Sequence, residues 1–387
     1  MGTAPIVLSA NGLLQQNADN TYPFRQDSSF WYFTGIEEPG AILVMDKDKE
    51  YLIIPEKSDY AKIAEGEIDI EGIQRCSGIK AIYWEEDGWK ELTTRFKKVR
   101  HIATLSPPEG YIKAHGFYTN PSKEHLIKRL KTINPDITFL DIRRHIAKLR
   151  CVKQPEEIEA IKQSIDITSK AINNIYKYIS RYHYEYEIEA TITAEFKKQN
   201  VTFAYQPIIA SGTNACVLHY SINSSKLKAK DLILIDVGAS VSNYASDLTR
   251  TFSIAKNPNT RQKDILNSVL AVQQFAEKLL KPGLNLKTYE KDIEEFMGER
   301  LRSLGLIKTI THELVRKYYP HSTSHFLGLD PHDVGEYDKP LEANMILTIE
   351  PGIYIQEEGI GVRIEDDYLL TVDGNINLSA NLPSYVK

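Results

Sequence analysis

Cysteine is scarce: 3 in 387 residues. Cys76, Cys151 and Cys216 are odd in number and widely spaced, so no disulfide framework is implied and a reducing compartment is expected. No apolar run reaches the ~20 residues that a membrane-crossing helix needs. The N-terminal stretch MGTAPIVLSANG has no basic region of the secretory kind. Positive charge is not in excess either. With 47 Lys and Arg against 52 Asp and Glu, the net charge is −5, which gives no electrostatic reason to expect nucleic acid or an anionic membrane as partner. A thiol nucleophile is also missing, for Cys216 lies near His219 but no third group orients the pair. Asn223-Ser224-Ser225 matches a glycosylation sequon, which means nothing without secretion. The expectation from these absences is a cytoplasmic protein whose partners include neither nucleic acid nor membrane.

What is present is an ordinary globular composition, 42% hydrophobic and 26% charged, over a length that calls for two domains. Residues 1–148 read as a smaller mixed α/β domain. Short apolar strands, Ala41–Met45 and Tyr51–Pro55, alternate with helical patterns such as SKEHLIKRLKTI, where Leu126, Ile127, Leu130 and Ile133 share a face. The aromatic run Phe24–Phe33 reads as core. Nothing here sets acids, histidines or a nucleophile at catalytic spacing. The boundary falls before Pro155, where Pro and two acids open a helix.

Residues 149–387 repeat one order twice. A helix carrying Ile161, Ile165, Ile172, Ile175 and Ile179 precedes one carrying Ile188, Ile192 and Phe196. The hairpin Asp231–Phe252, DLILIDVGASVSNYASDLTRTF, follows. The second copy runs from helix Lys263–Leu280 through a helix with Tyr289, Ile293, Phe296 and Leu301, for which Gly305 is available as cap. Its hairpin runs through Ile349-Glu350-Pro351-Gly352 to Glu365. The fold class expected is α+β, a duplicated helix–helix–hairpin unit whose hairpins share one curved antiparallel sheet.

Each hairpin buries two acids: Asp236 and Asp247 in the first, Glu350 and Glu365 in the second. Buried carboxylates are costly unless something positive pairs with them. His325, in HSTSHFLGLDPHD, is a fifth candidate ligand. Four carboxylates balance two divalent cations and over-charge one. Oxygen-rich ligation with one imidazole and no thiolate favours Mn²⁺ first, with Co²⁺, Fe²⁺ or Zn²⁺ as alternatives.

These five residues, in the contexts IDVGA, SDLTRTF, HSTSHFLGLDPHD, IEPGIYI and GVRIEDD, resemble the pita-bread metallopeptidases, and among them the Xaa-Pro aminopeptidases (aminopeptidase P). AYQPIIASGTNACVLHY and the N-terminal YPFRQDSSFWYFTGIEEP extend the resemblance over nearly the whole chain, the latter to a creatinase-like N-terminal domain. The resemblance implies an enzyme that hydrolyses the N-terminal Xaa-Pro bond of peptides with proline at position two. Asp247 and Glu365 would bridge two divalent ions. Asp236 would complete one, and His325 and Glu350 the other. A metal-bridging hydroxide would be the nucleophile and Glu350 the proton carrier. His219 and His332 would hydrogen-bond substrate carbonyls, His321 would line the proline pocket, and Tyr354 and Arg363 would support the cluster. A homodimer or homotetramer is the family expectation.

Prolidase shares fold and ligands but is confined to dipeptides, and the sequence does not separate the two. A metal-free creatinase-like enzyme or an inactive peptide-binding module fits less well with all five ligands in place. A methionine aminopeptidase would lack the N-terminal domain. Two departures from the family stand out. No amphipathic helix precedes Ile6-Val7-Leu8, and Ile63-Ala64-Glu65-Gly66 stands where a tryptophan would reach a neighbouring subunit.

Overall fold

A computed structural model describes residues 4–107, 113 and 115–385, so the first three residues of the N-terminal stretch lie outside it. The chain divides into two compact units, Met1–Ile146 and Ala147–Lys387.

In the first unit, alternation of apolar side chains makes a sheet with two buried faces. Six strands lie in the spatial order Ile82–Trp84, Lys49–Ile54, Ile42–Asp46, Ile6–Ser9, His101–Thr104, Thr138–Asp141, with both parallel and antiparallel neighbours. Leu8, Leu43, Leu52 and Ile54 point to one face, against Phe30 and Ile73. Val7, Ile42, Val44 and Ile53 point to the other, against Trp89, Leu92, Leu126 and Leu130. Successive residues on a strand face opposite ways, which is why two helical layers are needed. Phe30 of the aromatic run is fully buried, as a core residue should be. The expected helix over 122–133 is found as Ser122–Ile133. Ala64 sits on the exposed helix Asp59–Glu65.

In the second unit, the helix Pro155–Tyr178 opens with proline in its first turn and a reciprocal Gln154–Glu157 capping box, and buries Ile161, Ile165, Ile172 and Ile175. Glu185–Lys198 buries Ile188, Ile192 and Phe196. The second copy has Thr260–Leu279 and Leu286–Ser303. Its C-cap is Leu304, and Gly305 takes the left-handed conformation just beyond it. No described helix is long and apolar enough to cross a membrane.

Each hairpin consists of an inner and an outer ladder. In the first, Leu232–Val237 pairs with Leu248–Ser253, and Ala239–Val241 with Tyr244–Ala245. Ser242 and Asn243 close the outer ladder with positive φ at both positions, the two-residue turn that suits strand twist. In the second, Ile346–Ile349 pairs with Asp366–Leu370, and Gly352–Ile355 with Ile360–Arg363. The break falls at Gly238 in one copy and at Glu350-Pro351 in the other. A Cβ on Gly238 would stand 1.8 Å from the Ser246 carbonyl oxygen, so only glycine lets the strands close there.

The strands therefore form several short sheets rather than one continuously bonded sheet. In the second copy Pro351, which cannot donate to a ladder, stands at the break. The copies are joined by other bonds. Glu365 N–H donates to the Thr249 carbonyl at 3.0 Å, and the buried Arg250 donates to the Glu365 carbonyl and to Asp366, both at 2.6 Å.

Candidate metal centre

The ladder breaks place the acids. Asp247, Glu350 and Glu365 lie between inner and outer ladders, and Asp236 one residue before the end of its inner strand. There the backbone turns their carboxyls toward the seam between copies. Ligand atoms of Asp247, His325 and Glu365 lie within 4.8 Å of one another, forming a candidate metal site of three buried residues. His325 Nε2 is 3.6 Å from Asp247 Oδ2 and 3.4 Å from Glu350 Oε1. Asp236 joins through Tyr205, whose hydroxyl is 2.6 Å from Asp236 Oδ1 and 2.6 Å from Asp247 Oδ1. All five predicted ligands thus converge on one place.

His325 is oriented for ligation. Its Nδ1 lies 3.1 Å from the Phe326 carbonyl oxygen, a bond that requires the proton on Nδ1 and leaves the Nε2 lone pair facing the acids. Burial, then the neighbouring His332, pushes His325 down to about 3, so the ring is neutral at pH 7.

The acids move the other way. Burial first, then Asp236, raises Asp247 to about 8. Burial and neighbouring carboxylates also hold Glu350 and Glu365 well above the usual range, though Arg363 opposes the rise. A phenol has one proton to give, yet Tyr205 makes two short contacts to carboxyl oxygens; the second requires either a proton on an acid or a cation nearby. Cations among these oxygens would replace the retained protons. The donor set of four carboxylates and one imidazole suits hard or borderline divalent ions, and the residues present fit such a group.

Of the remaining predicted residues, Arg363, Tyr354, His321 and His332 lie against this cluster. Arg363 donates to Asp236 through Nη2, to the Tyr354 hydroxyl through Nη1 at 2.9 Å, and to Thr249 Oγ1 through Nε at 3.1 Å. Tyr354 is also 2.8 Å from His321 Nε2. Burial, then Arg363, lowers His321 to about 3. Its Nδ1 stands 3.7 Å from Glu350 Oε2. His332 packs edge-on against His325 with ring centroids 4.3 Å apart. Burial, then His219, lowers its pKa while Asp236 opposes. His219 is exposed, on the loop after the short turn Gly212–Cys216.

Sequence reasoning missed several supporting residues. Thr249 donates to Glu365 Oε2 at 2.7 Å. Lying two residues after Asp247, it faces the same way, so the strand period could have revealed it. Glu290 accepts from Thr323 N–H at 3.0 Å and Ser324 N–H at 3.1 Å, holding the loop between His321 and His325. Glu290 arrives from a segment remote in sequence with no local pattern to point to it, whereas Tyr205 stands in the AYQPIIASGTNACVLHY stretch that carries the resemblance but was not singled out there.

A duplicated helix–helix–hairpin unit that turns its acids onto one histidine is the pita-bread architecture of metallopeptidases. The profile of metallopeptidase family M24 matches residues 159–372, and that of the aminopeptidase P N-terminal domain matches residues 2–103. The chain is 34% identical to the Xaa-Pro aminopeptidase of Haemophilus influenzae, covering 96% of this chain and 89% of that one. A structure of a candidate aminopeptidase P from Bacillus anthracis superposes with a TM-score of 0.90 at 34% identity, covering 99% of this chain and 92% of the other. Aminopeptidase P of Escherichia coli with the inhibitor Pro-Leu gives a TM-score of 0.84 at 29% identity, covering 98% and 91%. The chain belongs to metallopeptidase family M24, as an aminopeptidase P with that group's N-terminal domain.

Proposed function

We propose that this enzyme removes the N-terminal residue from peptides whose second residue is proline, using two divalent ions per chain. Residues 149–387 are the catalytic domain and residues 1–148 the creatinase-like N-terminal domain. Mn²⁺ is the first candidate, with Co²⁺, Fe²⁺ and Zn²⁺ as alternatives. The observation that carries the reading is the convergence of His325 Nε2 on Asp247 and Glu350, at 3.6 and 3.4 Å, with Glu365 in the same cluster. A cytoplasmic homodimer or homotetramer completes the proposal.

Asp247 and Glu365 would bridge the two ions, Asp236 would complete one, and His325 and Glu350 the other. When bound, such ions supply Lewis-acid polarisation and a water whose pKa falls toward neutrality. The chain's own groups do the rest. Glu350, whose side chain is 17% exposed, turns one oxygen toward His325 and the other toward His321, where it can hold the proton that the leaving proline nitrogen needs. His219 and His332 donate to the carbonyl oxygen as charge develops on it. His321 and Tyr354 wall the space for the proline ring. Arg363 fixes Asp236 and Tyr354 together. Pro-Leu, the inhibitor held by the Escherichia coli enzyme, is what remains of an Xaa-Pro-Leu peptide after loss of its first residue.

The test is to strip the protein with chelator, restore Mn²⁺, and assay an Xaa-Pro dipeptide, an Xaa-Pro tripeptide and an N-terminal Met peptide side by side. Cleavage of the tripeptide only after metal return is expected. Activity confined to the dipeptide would assign a prolidase. No activity on any of the three would remove the enzymatic reading.

A further inference from the structure

Glu185 is fully buried, and the groups that donate to its carboxylate among the described residues are neutral. Its Oε1 accepts from the Ser211 N–H at 2.8 Å, the Ser211 hydroxyl at 2.7 Å and Asn214 Nδ2 at 3.0 Å. Its Oε2 accepts from the Tyr220 hydroxyl and the Ser225 N–H, both at 2.8 Å. Five donors fill the acceptor capacity of a carboxylate and offset the cost of burying it without a cation.

The donors share a location. Ser211 and Ser225 bracket the loop that carries His219, and Tyr220 follows His219 directly. Glu185 N–H in turn donates to the Ser225 carbonyl at 3.0 Å. One helical turn on, Glu189 accepts from Asn223 Nδ2 at 2.9 Å, and Asn223 Oδ1 accepts from the Ile209 N–H at 2.9 Å. The sequon asparagine is therefore buried, 1% exposed, and serves as a stitch rather than a sugar acceptor. His219 itself is exposed and gains little fixation from packing. Its position follows from how its loop is closed.

We infer that Glu185 is a positioning residue for His219, clasping both ends of its loop so that the imidazole is held against the site. This deepens the proposed function and rests on the role given there to His219. Glutamine is a near-isosteric probe. Each carboxylate oxygen of Glu185 accepts from a backbone N–H, and a backbone N–H cannot become an acceptor. In Glu185→Gln the amide NH₂ must therefore face either Ser211 or Ser225 as donor against donor, and one end of the loop is released.

The experiment is a double-mutant cycle of Glu185→Gln and His219→Ala, reading kcat and KM on the tripeptide, metal content and melting temperature. His219→Ala is expected to lower kcat/KM about a hundredfold. Glu185→Gln should lower it roughly tenfold with metal content unchanged. In the His219→Ala background, Glu185→Gln should cost less than about twofold more. An equal loss in both backgrounds, or activity loss that follows metal loss, would overturn the positioning role. Should wild type cleave no Xaa-Pro peptide, the functional reading fails, and the His219 ring resonance then tests the clasp alone. It must shift in Glu185→Gln, and an unmoved resonance refutes the clasp.

Discussion

Thr249 and Glu365 meet twice where the two copies join: the Thr249 hydroxyl donates to Glu365 Oε2 at 2.7 Å, and the Glu365 N–H donates to the Thr249 carbonyl at 3.0 Å. The same hydroxyl oxygen accepts from Arg363 Nε at 3.1 Å, so one side chain orients an acid of one hairpin from the strand of the other. Groups that orient metal ligands are worth roughly 10–100-fold in metal affinity or activity. Thr249→Val keeps the shape and removes the bonds. Titration calorimetry with Mn²⁺ should show affinity weakened by about tenfold or more; unchanged affinity would mean that Glu365 is held by its backbone alone.

The chelator-treated protein should show a distinctive pH dependence. Asp247, raised by burial from an ordinary 3.8 to about 8, contributes stability that is full below its unfolded value and lost as pH rises through about 8. His325 and His321, lowered by burial from 6.5 to about 3, contribute stability that is present above 6.5 and lost as pH falls toward 3. Below 6.5 the two effects oppose each other. Between 6.5 and 8 the acid acts against a finished histidine contribution, so the chelator-treated protein should lose melting temperature over that window, by roughly 2–4 °C. With metal bound the fall should vanish. A flat or rising profile in chelator contradicts this.

Much of this arrangement was legible in the sequence because the duplication repeats a short context. Ile-Asp-Val-Gly and Ile-Glu-Pro-Gly announce paired breaks, and charge counting makes the four acids a cation site. The helix over Ser122–Ile133 and the capped start at Pro155 followed from apolar period and terminal chemistry. What escaped depends on tertiary contact. Glu185 and Glu290 reach the loops around the cluster from elsewhere in the chain, and a lone Glu carries no local signature.

The loop bearing His332 is pinned by buried charge. Asp333 pairs with Arg150 and, at 3.1 Å, with Lys153, and the three side chains are 1–3% exposed. Removing the acid leaves two buried cations facing less negative charge. Asp333→Asn should destabilise the protein by about 3–5 kcal/mol. Urea unfolding measures this directly, and a loss under about 1 kcal/mol would show that the cluster behaves as a solvated ion pair.

In the function proposed, four acids and His325 hold two cations that make the site active. The most direct measurement is metal content per chain, by mass spectrometry after Mn²⁺ loading and dialysis, in wild type and in Asp247→Ala, alongside tripeptide cleavage. Two ions per wild-type chain, with loss of both metal and activity in the variant, is the result expected. An Asp247→Ala protein that keeps two ions, or a wild type fully active with none, would contradict the account.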